Sequence, residues 1–209
     1  RHGVLLILDE VMCGMGRTGR WFACEHYGVV PDVLVLGKGL SGGTLALSGV
    51  ATTTAHMETV RRSAGNFAHG GTFSHNCVSC AAGLAAVRIL EQENLVERSR
   101  ELGERIGRCL REALSGSPHV GDIRGIGMMW GVEFVQDRGS LQPYPRSKKV
   151  TEALWQNLFD RGVILYKSVG MAGTDGDGLI VAPPFVITAG EIDLVVEQLR
   201  QAVTQVLGV

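Results

Sequence analysis

Two short apolar runs near the start of the chain each end on an ionisable residue: Val4 to Leu8 is followed by Asp9-Glu10, and Val35-Leu36 by Gly37-Lys38-Gly39. Apolar runs bounded by Gly, Asp or Pro predict buried strands of a parallel sheet. Residues 1 to about 75 therefore read as alternating strands, glycine turns and short helical stretches, the later part of a parallel-sheet domain. From Asn76 the apolar positions recur at helical spacing through Leu84, Val87, Leu90, Leu95, Leu102, Ile106 and Leu110, and Asn94 divides the pattern into two helices. Gly116-Ser117-Pro118 closes it. Strands follow at Val120 to Gly125 and Met128 to Val135, then a helix near Ser147 to Arg161 and strands around Val163 to Lys167 and Leu179 to Ala182. A last helix starts at Thr188, with Glu191 in the capping-box position. The fold class is α/β, with the C-terminal portion of a mainly parallel-sheet domain over 1–93 and an α+β C-terminal domain over 94–209.

The strand ends carry the candidate chemistry. In open α/β sheets ligands gather at the carboxyl ends of the strands, which places Lys38 and Asp9 at one crevice. A partly desolvated lysine there is an amine nucleophile able to form a Schiff base with an aldehyde, and an aspartate suits a pyridinium nitrogen that must stay protonated. Together they imply pyridoxal 5'-phosphate. Taken singly, each residue has a plainer explanation: a strand-end lysine is an exposed charge, and an aspartate after a strand caps a turn. Gly42-Gly43 and Gly70-Gly71 frame the proposed site, although glycine turns alone are weak evidence for a phosphate.

The ordered segments Leu5 to Gly19 (LLILDEVMCGMGRTG), Trp21 to His26, Val30-Pro31-Asp32, Leu36 to Leu40, Gly70 to Ser74 and Ala182-Pro183-Pro184-Phe185 resemble the class III pyridoxal-phosphate aminotransferases over nearly the whole chain. The resemblance implies fold type I and a homodimer with shared active sites. It makes Lys38 the lysine that holds the cofactor and moves the proton, sets Asp9 on the pyridine nitrogen and Val11 on the ring face, and has Thr72 give its hydroxyl to the phosphate from the neighbouring subunit. Glu10 is expected in a structural salt bridge, and Arg17 as a loop and subunit-contact residue. Relatives of this class are longer, so the neighbours of the first strand, the phosphate-binding turn and the ring-stacking aromatic are expected from chain upstream of this one.

Two positions depart from the family pattern. Many relatives carry glutamine after Asp-Glu-Val, where this chain has Met12, whose thioether is only a weak acceptor. Ornithine- and acetylornithine-type members carry an arginine three residues before the Pro-Pro pair, where this chain has Ile180, so that carboxylate clamp is missing. With Asp175-Gly176-Asp177-Gly178 read ahead of the strand, this resembles the ω-amino-acid:pyruvate and amine transaminase branch, in which an ω-amino acid or amine donates to a keto acid such as pyruvate. Within the same scaffold an aminomutase or a dialkylglycine-type decarboxylase stays open. From another class, so does a non-catalytic dimerising fragment.

Composition narrows the alternatives further. The 209 residues carry 20 basic and 21 acidic side chains, a net charge of -1, with no basic block, so nucleic acid and membrane surfaces are not implied. No apolar stretch has membrane-spanning length and the start lacks a signal-peptide shape, which reads as cytoplasmic. Five cysteines, an odd number, argue for reduced thiols. Cys77-Val78-Ser79-Cys80 has metal or redox spacing but no second ligand pair, and it opens a helix where both cysteines are expected to pack as small apolar residues. His26, His56, His69 and His75 lack mutual metal spacing, and no metal is expected.

Overall fold

The computed structural model describes residues 2–208, in two compact units divided between Glu97 and Arg98. In the first unit β1 (Ile7–Asp9) pairs in parallel with β2 (Val33–Leu36), and β2 pairs antiparallel with β3 (Gly49–Thr52). The sheet is thus mixed within this chain, with a parallel pair and an antiparallel edge. The register sets Leu8 beside Leu34 and Asp9 beside Val35. Helix α1 (Thr54–Ala64) starts where the Thr53 hydroxyl accepts the His56 N–H, and α2 (Cys77–Gln92) where the Asn76 carboxamide oxygen accepts those of Val78 and Ser79. These side chains satisfy donors that a helix N-terminus leaves unpaired.

The two expected helices break at Asn94, which takes a left-handed φ of 50° before α3 (Leu95–Leu114). Asn tolerates that conformation better than most non-glycine residues. The apolar runs of β1 and β2 are not buried as the hydrophobic pattern had predicted. Val4 is 82% exposed and Ile7 61%, while β2 is half-buried throughout. The physical reason is topological: β1 is an edge strand here, with β2 on one side only.

The second unit closes a core of its own. Its sheet runs β4 (Val120–Ile126), β5 (Met129–Asp137), β8 (Asp175–Val181) and β7 (Tyr166–Ala172), every neighbour antiparallel, with the two-residue β6 (Gln142–Pro143) paired to β5. Helices α4 (Val150–Asp160) and α5 (Ala189–Leu207) join α3 in its hydrophobic core. Along β5 the period of two puts Trp130, Val132 and Phe134 inside, against Leu110, Leu154, Leu158 and Leu199. Gly103 and Gly107 let α3 approach closely, since a Cβ on the first would collide with the Gly127 backbone and one on the second with the Trp130 ring. Thr188 and Glu191 form the expected capping box at α5.

One expectation about this unit is corrected. Asp175 to Gly178 do not precede the last strand but form its first half, and Asp177 shares the inward face with Leu179 and Val181 and is fully buried. Its carboxylate accepts the Thr151 N–H at 2.8 Å and an N–H from Arg146 at 3.2 Å, so it caps α4 from a neighbouring strand. Gly178 N–H returns a bond to the Thr151 hydroxyl at 3.0 Å. A buried carboxylate needs such donors, and no local pattern announces them.

Candidate active site

The parallel register of β1 and β2 builds the site. Beyond the last paired residues the same offset of 26 positions continues: Val11 lies against Gly37 and Met12 meets Lys38. A Cβ on Gly37 would sit 3.4 Å from the Val11 side chain, so glycine lets the two chain segments run side by side. Asp9 ends β1 and folds its carboxylate back onto the Val11 N–H at 3.0 Å, which shapes the turn that follows. Lys38 opens a short 3-10 turn with a left-handed φ of 41°, and its side chain lies against that of Met12. Among the described residues no carboxylate pairs with Lys38.

Behind this turn Glu10 is buried, and among the described residues no cation forms the salt bridge expected of it. Its two carboxylate oxygens accept the Ala23 and Cys24 N–H groups, each at 2.8 Å, at the start of the 3-10 turn Ala23–Tyr27. Backbone donors replace a cation because they converge there without bringing a second charge out of water. Burial first, and the Glu10 carboxylate after it, push the nearby Cys13 thiol up to about 11. Burial also lowers the Arg17 guanidinium from its usual value, inside the turn in which Arg17 N–H donates to the Gly14 carbonyl.

Lys38 and Thr72 line one cleft of about 830 Å³, together with Ser41, Thr44, Ser74, Asn76 and Ser79. Thr72 makes no side-chain hydrogen bond among the described residues, so its hydroxyl is available to a ligand. Asp9 and Val11 are not part of that lining. They stand next to it through the register just described. The polar residues around Asn76 were not singled out from the sequence, although an Asn just before a helical pattern is a capping signal that marks a helix N-terminus. Cys77 and Cys80 are exposed rather than packed, and Cys80 lines the cleft. The first turn of α2 turns them outward, a matter of helix rotation that residue type does not reveal. No group of three or more His, Cys, Asp or Glu among the described residues could hold a metal.

Ile180 belongs to the other unit. It is half-buried on β8, paired with Gly131 and Tyr166, and lines an apolar cavity of about 520 Å³ with Val163, Leu165 and Pro183.

The family description "Aminotransferase class-III" matches residues 1–203. The chain belongs to the class III aminotransferases. It is 37% identical over 210 residues to an aminotransferase of Gibberella zeae, covering 100% of this chain and 41% of that relative. The structure of an (S)-enantioselective ω-transaminase from Thermomicrobium roseum superposes with a TM-score of 0.90 at 36% identity, over 98% of this chain and 44% of that one. A pyridoxal-phosphate-bound aminotransferase mutant from Vibrio fluvialis gives 0.90 at 31% identity, over 98% and 44%. The chain therefore spans less than half the length of these relatives. The fold is that of the pyridoxal-phosphate-dependent transaminases, and the cofactor of this class is pyridoxal phosphate.

The residues present fit that cofactor. A lysine amine without a carboxylate partner among the described residues can be spent on an aldehyde, hydroxyl and amide side chains line the cleft beside it, and the cleft is of the size small-molecule sites have, roughly 300–1,000 Å³. No helix among the described residues is long and apolar enough to cross a membrane.

Proposed function

We propose that the complete protein is a cytoplasmic, homodimeric transaminase that moves an amino group from an ω-amino acid or simple amine to a keto acid such as pyruvate. The observation that carries this reading is the Lys38 amine, which lines a polar cleft with no carboxylate partner among the described residues, beside the strand pair that sets Asp9 and Val11 next to it. Bound pyridoxal phosphate supplies an electron-accepting ring. Lys38 anchors it through its amine and, once displaced by the donor, takes and returns the proton at the reacting carbons. Asp9, at the end of β1, keeps the pyridine nitrogen protonated. Val11 covers a ring face beside Gly37, and the Thr72 hydroxyl binds the phosphate in the neighbouring subunit's site. These roles rest on the family match together with the register that gathers the residues.

The donor class rests on Ile180. An isoleucine cannot form the bidentate, charge-assisted pair with a substrate carboxylate that an arginine forms. A site built for such a pair discriminates strongly, and one without it does not. A donor screen with pyruvate and with 2-oxoglutarate tests this. β-Alanine, γ-aminobutyrate or an arylalkylamine with pyruvate should exceed ornithine and acetylornithine in kcat/KM by about ten-fold or more. A clear preference for acetylornithine with 2-oxoglutarate would overturn it.

A further inference from the structure

We propose that Cys77 and Cys80 form a reversible disulfide that reshapes one wall of the cleft when the thiol–disulfide balance around the protein turns oxidising. The bridge rests on thiol chemistry alone, and only its effect on cofactor binding rests on the function proposed above. Packing of the two cysteines as small apolar residues would argue against chemistry at this C-x-x-C pair, and the structure removes that objection. Both thiols are exposed on the first turn of α2, at the three-residue spacing that puts side chains on one face of a helix. The Cys77 sulfur makes a long contact of 3.9 Å to the His75 carbonyl, which a weak S–H donor gives up easily. Cys80 stands beside Asn76 and Ser79 in the lining of the cleft that Lys38 also lines. The missing second ligand pair still speaks against a metal, but a disulfide needs two sulfurs and nothing more.

The bridge has to bend the helix to form. Residues three apart on a helix hold their Cβ atoms about 5–6 Å apart, whereas a disulfide holds them at roughly 3.5–4.5 Å. Closure therefore draws Cys80 toward the start of α2 and distorts its first turn. That turn is the part of the helix able to give. Phe67 to Gly71 ahead of it has no regular secondary structure, His75 takes a left-handed φ of 59°, and the Asn76 side chain caps the Val78 and Ser79 N–H groups. A bridge strained in this way is reduced readily, as a regulatory disulfide must be. One cysteine thiolate attacks a sulfur of a small-molecule disulfide such as oxidised glutathione, forming a mixed disulfide and releasing one thiol. The second cysteine then displaces the other half as a second thiol, and the Cys77–Cys80 bond is made. Two electrons and two protons pass from the cysteine pair to the two released thiols. Ser79 and the Asn76 cap move with the turn, so the polar groups of that wall leave their places.

The test uses the complete protein, as wild type and Cys77→Ser, equilibrated in glutathione buffers from fully reduced to fully oxidised. Cys77 is the position to change because it lies outside the cleft lining and Cys80 lies in it. Both cysteines fall in the tryptic peptide Ser63 to Arg88, so with free thiols blocked before digestion the bridge is read as that peptide unblocked and two hydrogens lighter. Wild type should bridge in the oxidising buffers and then bind pyridoxal phosphate about ten-fold more weakly, with dithiothreitol reversing both changes. Cys77→Ser should never give the lighter peptide, and when reduced should bind pyridoxal phosphate within about two-fold of reduced wild type. A wild-type peptide that stays reduced, or that carries only glutathione adducts in excess oxidised glutathione, would overturn the inference. So would a bridged protein that binds pyridoxal phosphate as tightly as the reduced one. Reduced wild type that binds no pyridoxal phosphate would instead overturn the functional reading, while the peptide mass still decides the bridge.

Discussion

Leu154 and Leu158 on α4 are fully buried in a core shared with α3, α5 and an antiparallel sheet, while Val4, just before the first sheet, and Ile7 and Val50 on it are 82%, 61% and 66% exposed. The unit that follows Glu97 closes a core from its own residues. The unit before it contributes only Met15, Leu90 and Leu95 to the large buried apolar side chains among the described residues, yet it carries Lys38, Asp9, Val11, Met12 and Thr72. Each apolar side chain left in water forgoes roughly 1.5–3 kcal/mol of burial. Chemistry and self-sufficient packing are thus separated in this chain: one unit is built to be stable, and the other holds reactive groups at the ends of short strands whose faces are uncovered.

The largest effect should come from the reactive unit. Lys38→Ala in the complete protein should lower transamination by about three orders of magnitude or more while the unfolding midpoint stays near wild type, because one nitrogen serves as both cofactor anchor and proton carrier. Substantial retained turnover would remove Lys38 from the site. Mixing that variant with Thr72→Ala sharpens the point. If Thr72 serves the partner's cleft, mixed dimers contain one intact site and regain activity, whereas a threonine serving its own chain's cleft gives no recovery.

The complementary effect belongs to the stable unit. Leu158→Ala should cost about 2–5 kcal/mol in urea unfolding followed by Trp130 and Trp155 fluorescence, with little change in turnover per folded molecule. Ile7→Ala in the 209-residue chain should cost under about 1 kcal/mol, since the side chain is already largely in water. Equal costs at the two positions would break the contrast between the units.

The smallest effect concerns thiols. Exposed Cys77 and Cys80 should be alkylated by iodoacetamide at pH 8 well before Cys13, whose thiol is pushed up to about 11 by burial and by Glu10 and so carries little thiolate there. The sign for stability follows. An acid that keeps its proton longer when folded than its ordinary 9.0 contributes fully below that pH, and the contribution is lost as pH rises from 9.0 towards 11. Cys13 reacting as fast as Cys77 would show that the turn after β1 opens readily in solution.

Local signals were legible without coordinates. The helix break at Asn94, the capping box of Thr188 and Glu191, the start of α2 at Asn76 and the hairpin strands β4 and β5 lie close to where the residue pattern puts them. Each is decided by a few neighbouring residues satisfying the same few backbone groups. The order of motifs likewise pointed to the class III aminotransferases, because the family's residues recur at matching separations along the chain. Tertiary structure alone decided what depends on residues distant in sequence. Asp177 became a buried cap for α4, Glu10 took backbone donors in place of a cation, and Cys77 and Cys80 turned outward. The offset of 26 positions between two parallel strands brought Met12 to Lys38, because pairing register is a property of two segments together and neither segment's own sequence contains it.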